Sequence, residues 1–89
     1  DYKAATTALR NVLKDFPDTK YREEIMFTIM KANYLLAENS IVAKQYERYQ
    51  ETIEDYYAFV DKFPNSKKII EAEKIFTNSV KFIESKNGH

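Results

Sequence analysis

Apolar residues recur every three to four positions along almost the whole chain, the spacing of one face of an α-helix. Tyr2, Ala5, Ala8 with Leu9, Val12 with Leu13, and Phe16 form the first stripe and predict a helix over 2–15. Pro17 ends it, because a proline pushes the residue before it out of the α region. Asp18 or Thr19 then offers a side-chain oxygen to the free N–H groups of the next helix. Glu23 and Glu24 fall in the first turns of that helix, where the helix dipole favours negative charge. The second helix is predicted over 19–38, with one stripe of Ile25, Ile29, Ala32 and Leu36. A second stripe of Met26, Met30 and Ala37, and a third of Phe27 and Tyr34, lie beside it. So wide an apolar arc suits a helix packed between two neighbours.

"ENS" at 38–40 is the break in the middle of the chain: Asn39 can end one helix and Ser40 can cap the next. Val42, Tyr46, Tyr49, Ile53, Tyr56 or Tyr57, Val60 and Phe63 then hold one face, predicting a long helix over 41–62. Pro64 follows, with Asn65 or Ser66 as cap. A fourth helix over 66–85 carries Ile69, Ala72 with Ile75, Phe76, Val80 and Ile83. The fold expected is all-α, with four antiparallel helices forming an α-hairpin solenoid fragment in one domain over 1–89.

Composition narrows this further. A domain of 89 residues buries roughly 60–65% of the surface of its unfolded chain, so its core is thin. Seven Tyr, six Phe and 44% apolar residues are too many for a disordered segment. The single glycine argues against tight β-turns and against a Gly-rich phosphate loop. Charges balance at 14 against 14, so nothing draws the chain generally to nucleic acid or anionic lipid. No apolar run approaches the ~20 residues of a membrane span. Without cysteine there is neither a disulfide nor a thiolate metal site. The opening "DYKAATTALR" reads as the inside of a helix, and the chain is expected to be a piece of a longer protein.

The two prolines stand 47 positions apart, in the phrases "KDFPDTK" (14–20) and "DKFPNSK" (61–67). At that offset Tyr2 meets Tyr49, Phe16 meets Phe63, Thr19 meets Ser66 and Lys20 meets Lys67. Periods of about 20–50 residues belong to stacked repeats, in which each unit covers the apolar face of its neighbour. Ala5, Leu9, Val12 and Pro17 resemble the second-helix pattern of the tetratricopeptide (TPR) repeat, and Thr52, Tyr56, Phe59 and Pro64 keep its spacing with bulkier residues. The unit is about 13 residues longer than the 34 of that repeat, the excess lying in "AENSIVAKQYERY". The glycine usual in the repeat's first helix is missing, Met30 standing near that position.

The phrases "FPDTKYREEIMF", "NYLLAENS" and "YYAFVDKFPNSKKIIEAEKIF" together resemble the C-terminal region of BamD-type outer-membrane assembly lipoproteins of Bacteroidetes-like bacteria. That resemblance implies a non-enzymatic scaffold on the periplasmic face of the outer membrane, anchored by a lipid outside this sequence. Its implied partner is the set of periplasmic domains of the barrel-forming assembly subunit. Two alternatives are a generic periplasmic TPR module of the Tol-Pal type that grips peptides, and an oligomerisation element built on the third helix.

Candidate chemistry is sparse. His89 is the only histidine and is terminal, with no fixed partner expected. Glu23–Glu24 and Glu54–Asp55 are neighbours that point about 100° apart on a helix and do not share a proton. Ser40, Ser66, Ser79 and Ser85 have no ordered histidine to activate them. No catalytic residue, metal site or cofactor is expected. The candidate partner-binding residues are tyrosines, an asparagine and lysines. Tyr46 and Tyr57 lean to one edge of the third helix, Tyr49 and Tyr56 to the other, and the more exposed pair is the contact candidate. Asn33 and Tyr34 lie where a groove of the second and fourth helices would run; Asn33, a polar residue beside an apolar arc, either satisfies a buried neighbour or faces that groove. Lys67 and Lys68, with Lys62, form a small basic cluster at the second corner.

Overall fold

A computed structural model describes residues 1–88 and contains four helices in chain order. They are α1 (Tyr2–Asp15), α2 (Arg22–Glu38), α3 (Val42–Lys62) and α4 (Ile69–Asn87). No strand occurs among the described residues. Each helix folds back on the one before it, in an all-α helical-hairpin arrangement. α2 packs against all three others and α3 against α4, whereas α1 packs along α2 and reaches α3 only through the Arg10–Asp55 ion pair. The result is a slab of 44 × 28 × 15 Å. Because α2 packs against α4, while α1 and α3 meet only through the Arg10–Asp55 side-chain pair, α2 and α4 line the inner side of the slab.

The central position of α2 explains its wide apolar arc. Phe27 and Met30 of α2, Phe59 of α3, and Ala72 and Ile75 of α4 form the buried cluster, with Met26, Tyr34, Tyr56, Val60, Phe63 and Ile69 packed around it. The Phe27 and Phe59 rings meet edge to face at 5.8 Å, a favourable aromatic geometry.

The two corners share the same backbone bonds and the same cap. In the first, Phe16 N donates to Val12 O at 2.8 Å, Thr19 N to Phe16 O at 3.1 Å and Arg22 N to Thr19 O at 3.2 Å. In the second, Phe63 N donates to Phe59 O at 2.8 Å, Ser66 N to Phe63 O at 3.1 Å and Ile69 N to Ser66 O at 3.2 Å. The turning residues share a backbone conformation, φ −132° and ψ 66° at Phe16 against φ −132° and ψ 62° at Phe63. Of the alternative caps, Thr19 and Ser66 are the ones used: Thr19 Oγ1 accepts from Tyr21 N at 3.2 Å and Ser66 Oγ from Lys68 N at 3.0 Å.

These caps hold a tight turn outside the helix, which corrects two expected boundaries. α2 begins at Arg22 rather than near 19, and α4 at Ile69 rather than near 66, because the intervening residues make i→i+3 bonds. α4 also continues to Asn87. Ser40 does not cap α3 as expected. Its hydroxyl donates back to Leu36 O and accepts from Arg48 Nη1, so it closes the end of α2. Asn39 Nδ2 on Leu35 O at 2.8 Å and Gln45 Nε2 on Ala37 O at 3.1 Å satisfy further carbonyls of that end.

The first stripe is only partly core. Thr6, Leu9 and Leu13 turn toward α2, but Val12 is 38% exposed and Phe16 66%. Their counterparts 47 residues on, Phe59 and Phe63, are fully and partly buried. The difference follows from position: α3 packs between α2 and α4, while α1 packs along α2 only.

Candidate functional site

Side chains that could touch another protein fall on four surfaces, and one expected contact lies in the interior. Asn33, on the middle turn of α2, is 2% exposed. Its Nδ2 donates to Asp55 Oδ2 at 3.0 Å and, weakly, to Glu51 Oε2 at 3.5 Å. From the other side, Arg10 Nη2 donates to both oxygens of Asp55, at 3.0 and 3.1 Å. One carboxylate thus ties α1, α2 and α3 together. Burial pushes the Asp55 carboxyl above its ordinary range. The Asn33 amide and the Arg10 charge pull it back only in part, and Glu51 adds to the rise. Asn33 therefore satisfies a buried neighbour and does not line a groove. Sequence reading missed the clamp because Arg10 and Asp55 lie 45 positions apart and outside the repeat register: the counterpart of Arg10 is Tyr57.

The tyrosines divide by depth. Tyr49 is buried between α2 and α4, 6.1 Å from the Tyr34 ring and 4.4 Å from Phe82, which corrects its place among contact candidates. Tyr34 is partly buried, and its hydroxyl accepts from Asn78 Nδ2 at 3.1 Å. Burial raises the pKa of both phenols, as it does that of Tyr56. Tyr46 is partly buried and donates to Asn87 Oδ1 at 3.1 Å. Tyr57 is 59% exposed and meets Phe76 edge to face at 5.5 Å, beside a Tyr56–Phe76 stack at 4.3 Å. The Tyr46–Tyr57 edge is thus the more exposed of the two, and Phe76 of α4 completes an aromatic patch there.

The inner face between α2 and α4 is occupied by internal links. Lys31 Nζ pairs with Glu71 Oε2 at 2.9 Å, and the Tyr34–Asn78 bond crosses the same pair of helices. α1 presents a third surface, carrying Tyr2, Val12 and Phe16.

The fourth surface is the edge that carries both corners. One hollow of about 650 Å³ is lined by Glu23, Lys62, Phe63, Ser66, Lys67 and Lys68. A second of about 680 Å³ shares Glu23, Lys62 and Phe63 with it and adds Pro17, Asp18, Lys20 and Arg22. Lys67 is exposed, whereas Lys68 is partly buried with its Nζ 4.9 Å from the Phe27 ring centroid. Glu23 Oε2 is already committed, accepting from Ser66 Oγ at 2.7 Å.

Among the described residues, no group of three or more His, Asp or Glu side chains could hold a metal ion. No described helix is long and apolar enough to cross a membrane. His89, expected to carry no chemistry, lies outside the described residues. No protein-family model matches the chain, and no curated protein matches it.

Proposed function

We propose that this chain is a non-enzymatic scaffold of stacked helical hairpins that works by presenting surfaces to other proteins, as part of a BamD-type outer-membrane assembly lipoprotein. The observation that carries the reading is the corner used twice. Two seven-residue phrases 47 positions apart make the same four bonds in the same order, which is how a repeat stack is generated. The exposed side chains of Tyr57, Lys62 and Lys67, with the partly buried Phe76 ring beside Tyr57, support a contact role, since aromatic and charged anchors dominate binding surfaces.

In this reading the partner is a folded one, the periplasmic domains of the barrel-forming assembly subunit, and the chain works at the periplasmic face of the outer membrane. The peptide-gripping alternative is less well supported, because the inner α2–α4 face is already bridged by Lys31–Glu71 and Tyr34–Asn78. Isothermal titration of the chain against the periplasmic domains of such a subunit tests the proposal. Saturable binding that weakens on Tyr57→Ala is expected. Binding of short unstructured peptides with none to the folded domains would overturn it.

A further inference from the structure

We propose that the paired hollows along the corner edge dock an acidic protein segment, with carboxylates set around an apolar side chain. This deepens the scaffold reading and rests on it only in taking the ligand to be a protein. Charge is the first observation. The chain as a whole balances 14 cations against 14 anions, yet the two hollows gather Lys20, Arg22, Lys62, Lys67 and Lys68 against Asp18 and Glu23. Glu23 is held by the Ser66 hydroxyl. Among the described residues no carboxylate lies within ion-pair distance of any of the five cations, the two ion pairs present being Arg10–Asp55 and Lys31–Glu71.

Arg22 is the second observation. Its Nη1 donates to Pro17 O at 2.6 Å, which fixes the side chain against the first corner. Its Nε–H is buried without an acceptor. That buried nitrogen lies out of a ligand's reach, and the guanidinium held in place has its other terminal nitrogen, Nη2, to offer a carboxylate. Shape is the third. Lys62, at the last turn of α3, stands in both hollows, with the Phe63 ring beneath as a shared apolar floor. Recessed sites with an apolar floor accept protruding side chains; a lipid surface presents a plane of headgroups and would meet only the rims. The repeat accounts for one pair of these cations. Lys20 and Lys67 are counterparts, so using the corner twice places the same charge twice on one edge.

The test is to titrate acetyl-Glu-Glu-Phe-Glu-Glu-amide into the 15N-labelled chain and follow backbone amide shifts, with acetyl-Lys-Lys-Phe-Lys-Lys-amide as control. Saturable shifts are expected at 20–22 and 62–68, shrinking as NaCl rises from about 50 to about 500 mM. The basic control should produce none. Lys62→Glu with Lys67→Glu, both at exposed positions, should weaken the acidic peptide roughly tenfold and leave circular dichroism unchanged. Should that variant misfold, Lys20→Glu alone must still weaken the peptide. Shifts scattered over the whole surface, equal binding of the basic control, or undiminished binding by the charge-reversed chains would overturn the proposal. So would co-sedimentation with phosphatidylglycerol vesicles in the absence of a peptide response. If the barrel subunit fails to bind while these shifts appear, the particular partner is lost and the acidic dock stands. If the subunit binds and the shifts are absent, the dock is lost and the scaffold stands.

Discussion

Phe59 and Val12 occupy the same place in the repeat and have opposite environments. Phe59 is fully buried among Phe27, Met30, Ala72 and Ile75, while Val12 faces outward. Phe59→Ala should therefore cost about 3–5 kcal/mol, and Val12→Ala well under about 1 kcal/mol, as read from urea midpoints at constant slope. Ser66 both caps the second corner and donates to Glu23, so Ser66→Ala should cost about 1–2 kcal/mol. The cost should be nonadditive with Glu23→Gln, because both substitutions alter the same bond. Asp55 makes a prediction about pH. Its folded pKa is raised, so the folded state holds that proton more tightly than the unfolded chain does. The stability it contributes is fully present below the unfolded value of 3.8 and is lost as pH rises through the folded value. Relative to Asp55→Asn, the native chain should gain stability as pH is lowered through that window. A native chain that instead loses ground on acidification would place the Asp55 pKa below its ordinary value.

At the scale of elements, the sequence shows what depends on neighbours along the chain and hides what depends on neighbours in space. Two prolines and a 3.6-residue period were enough for four helices, and the repeated phrase was enough for two like corners. The period could not tell a face that meets another helix from one that does not, so Val12 and Phe16 looked like core beside Leu9 and Leu13. The starts of α2 and α4 were misplaced because Thr19 and Ser66 cap a turn that runs on for two residues before the helix opens. Ser40 was misread for a related reason: a serine between two helices can serve either, and Leu36 O and Arg48 decide in favour of α2. Of the Asn33–Asp55–Arg10 clamp only Asn33 left a local mark, as a polar residue beside an apolar arc; its partners lie 22 and 23 positions away. These packing differences predict an order of protection in amide hydrogen exchange. α2, gripped by three helices, should exchange slowest, and α1, gripped by one, fastest. Equal protection in α1 and α2 would mean that α1 is covered on its second side.

For the whole molecule, the core and the exposed patches draw on the same stack. The buried cluster joins α2, α3 and α4, while the aromatic patch at Tyr57 and the basic corner edge are built from the ends and outer turns of those helices. Exposed residues there, such as Tyr57 and Lys62, can vary without disturbing the core, whereas Tyr56 and Phe63 pack against it. All of this depends on the two corners being one structural device. The most direct test is to transplant the first corner into the second, replacing DKFPNSK at 61–67 by KDFPDTK through Asp61→Lys, Lys62→Asp, Asn65→Asp and Ser66→Thr. Thr keeps the capping hydroxyl, as it does at Thr19. If the corners are equivalent, the chimera should unfold in one cooperative transition within about 1 kcal/mol of the parent. Loss of cooperative unfolding, or destabilisation of about 3 kcal/mol or more, would show that the two phrases are alike in letters only.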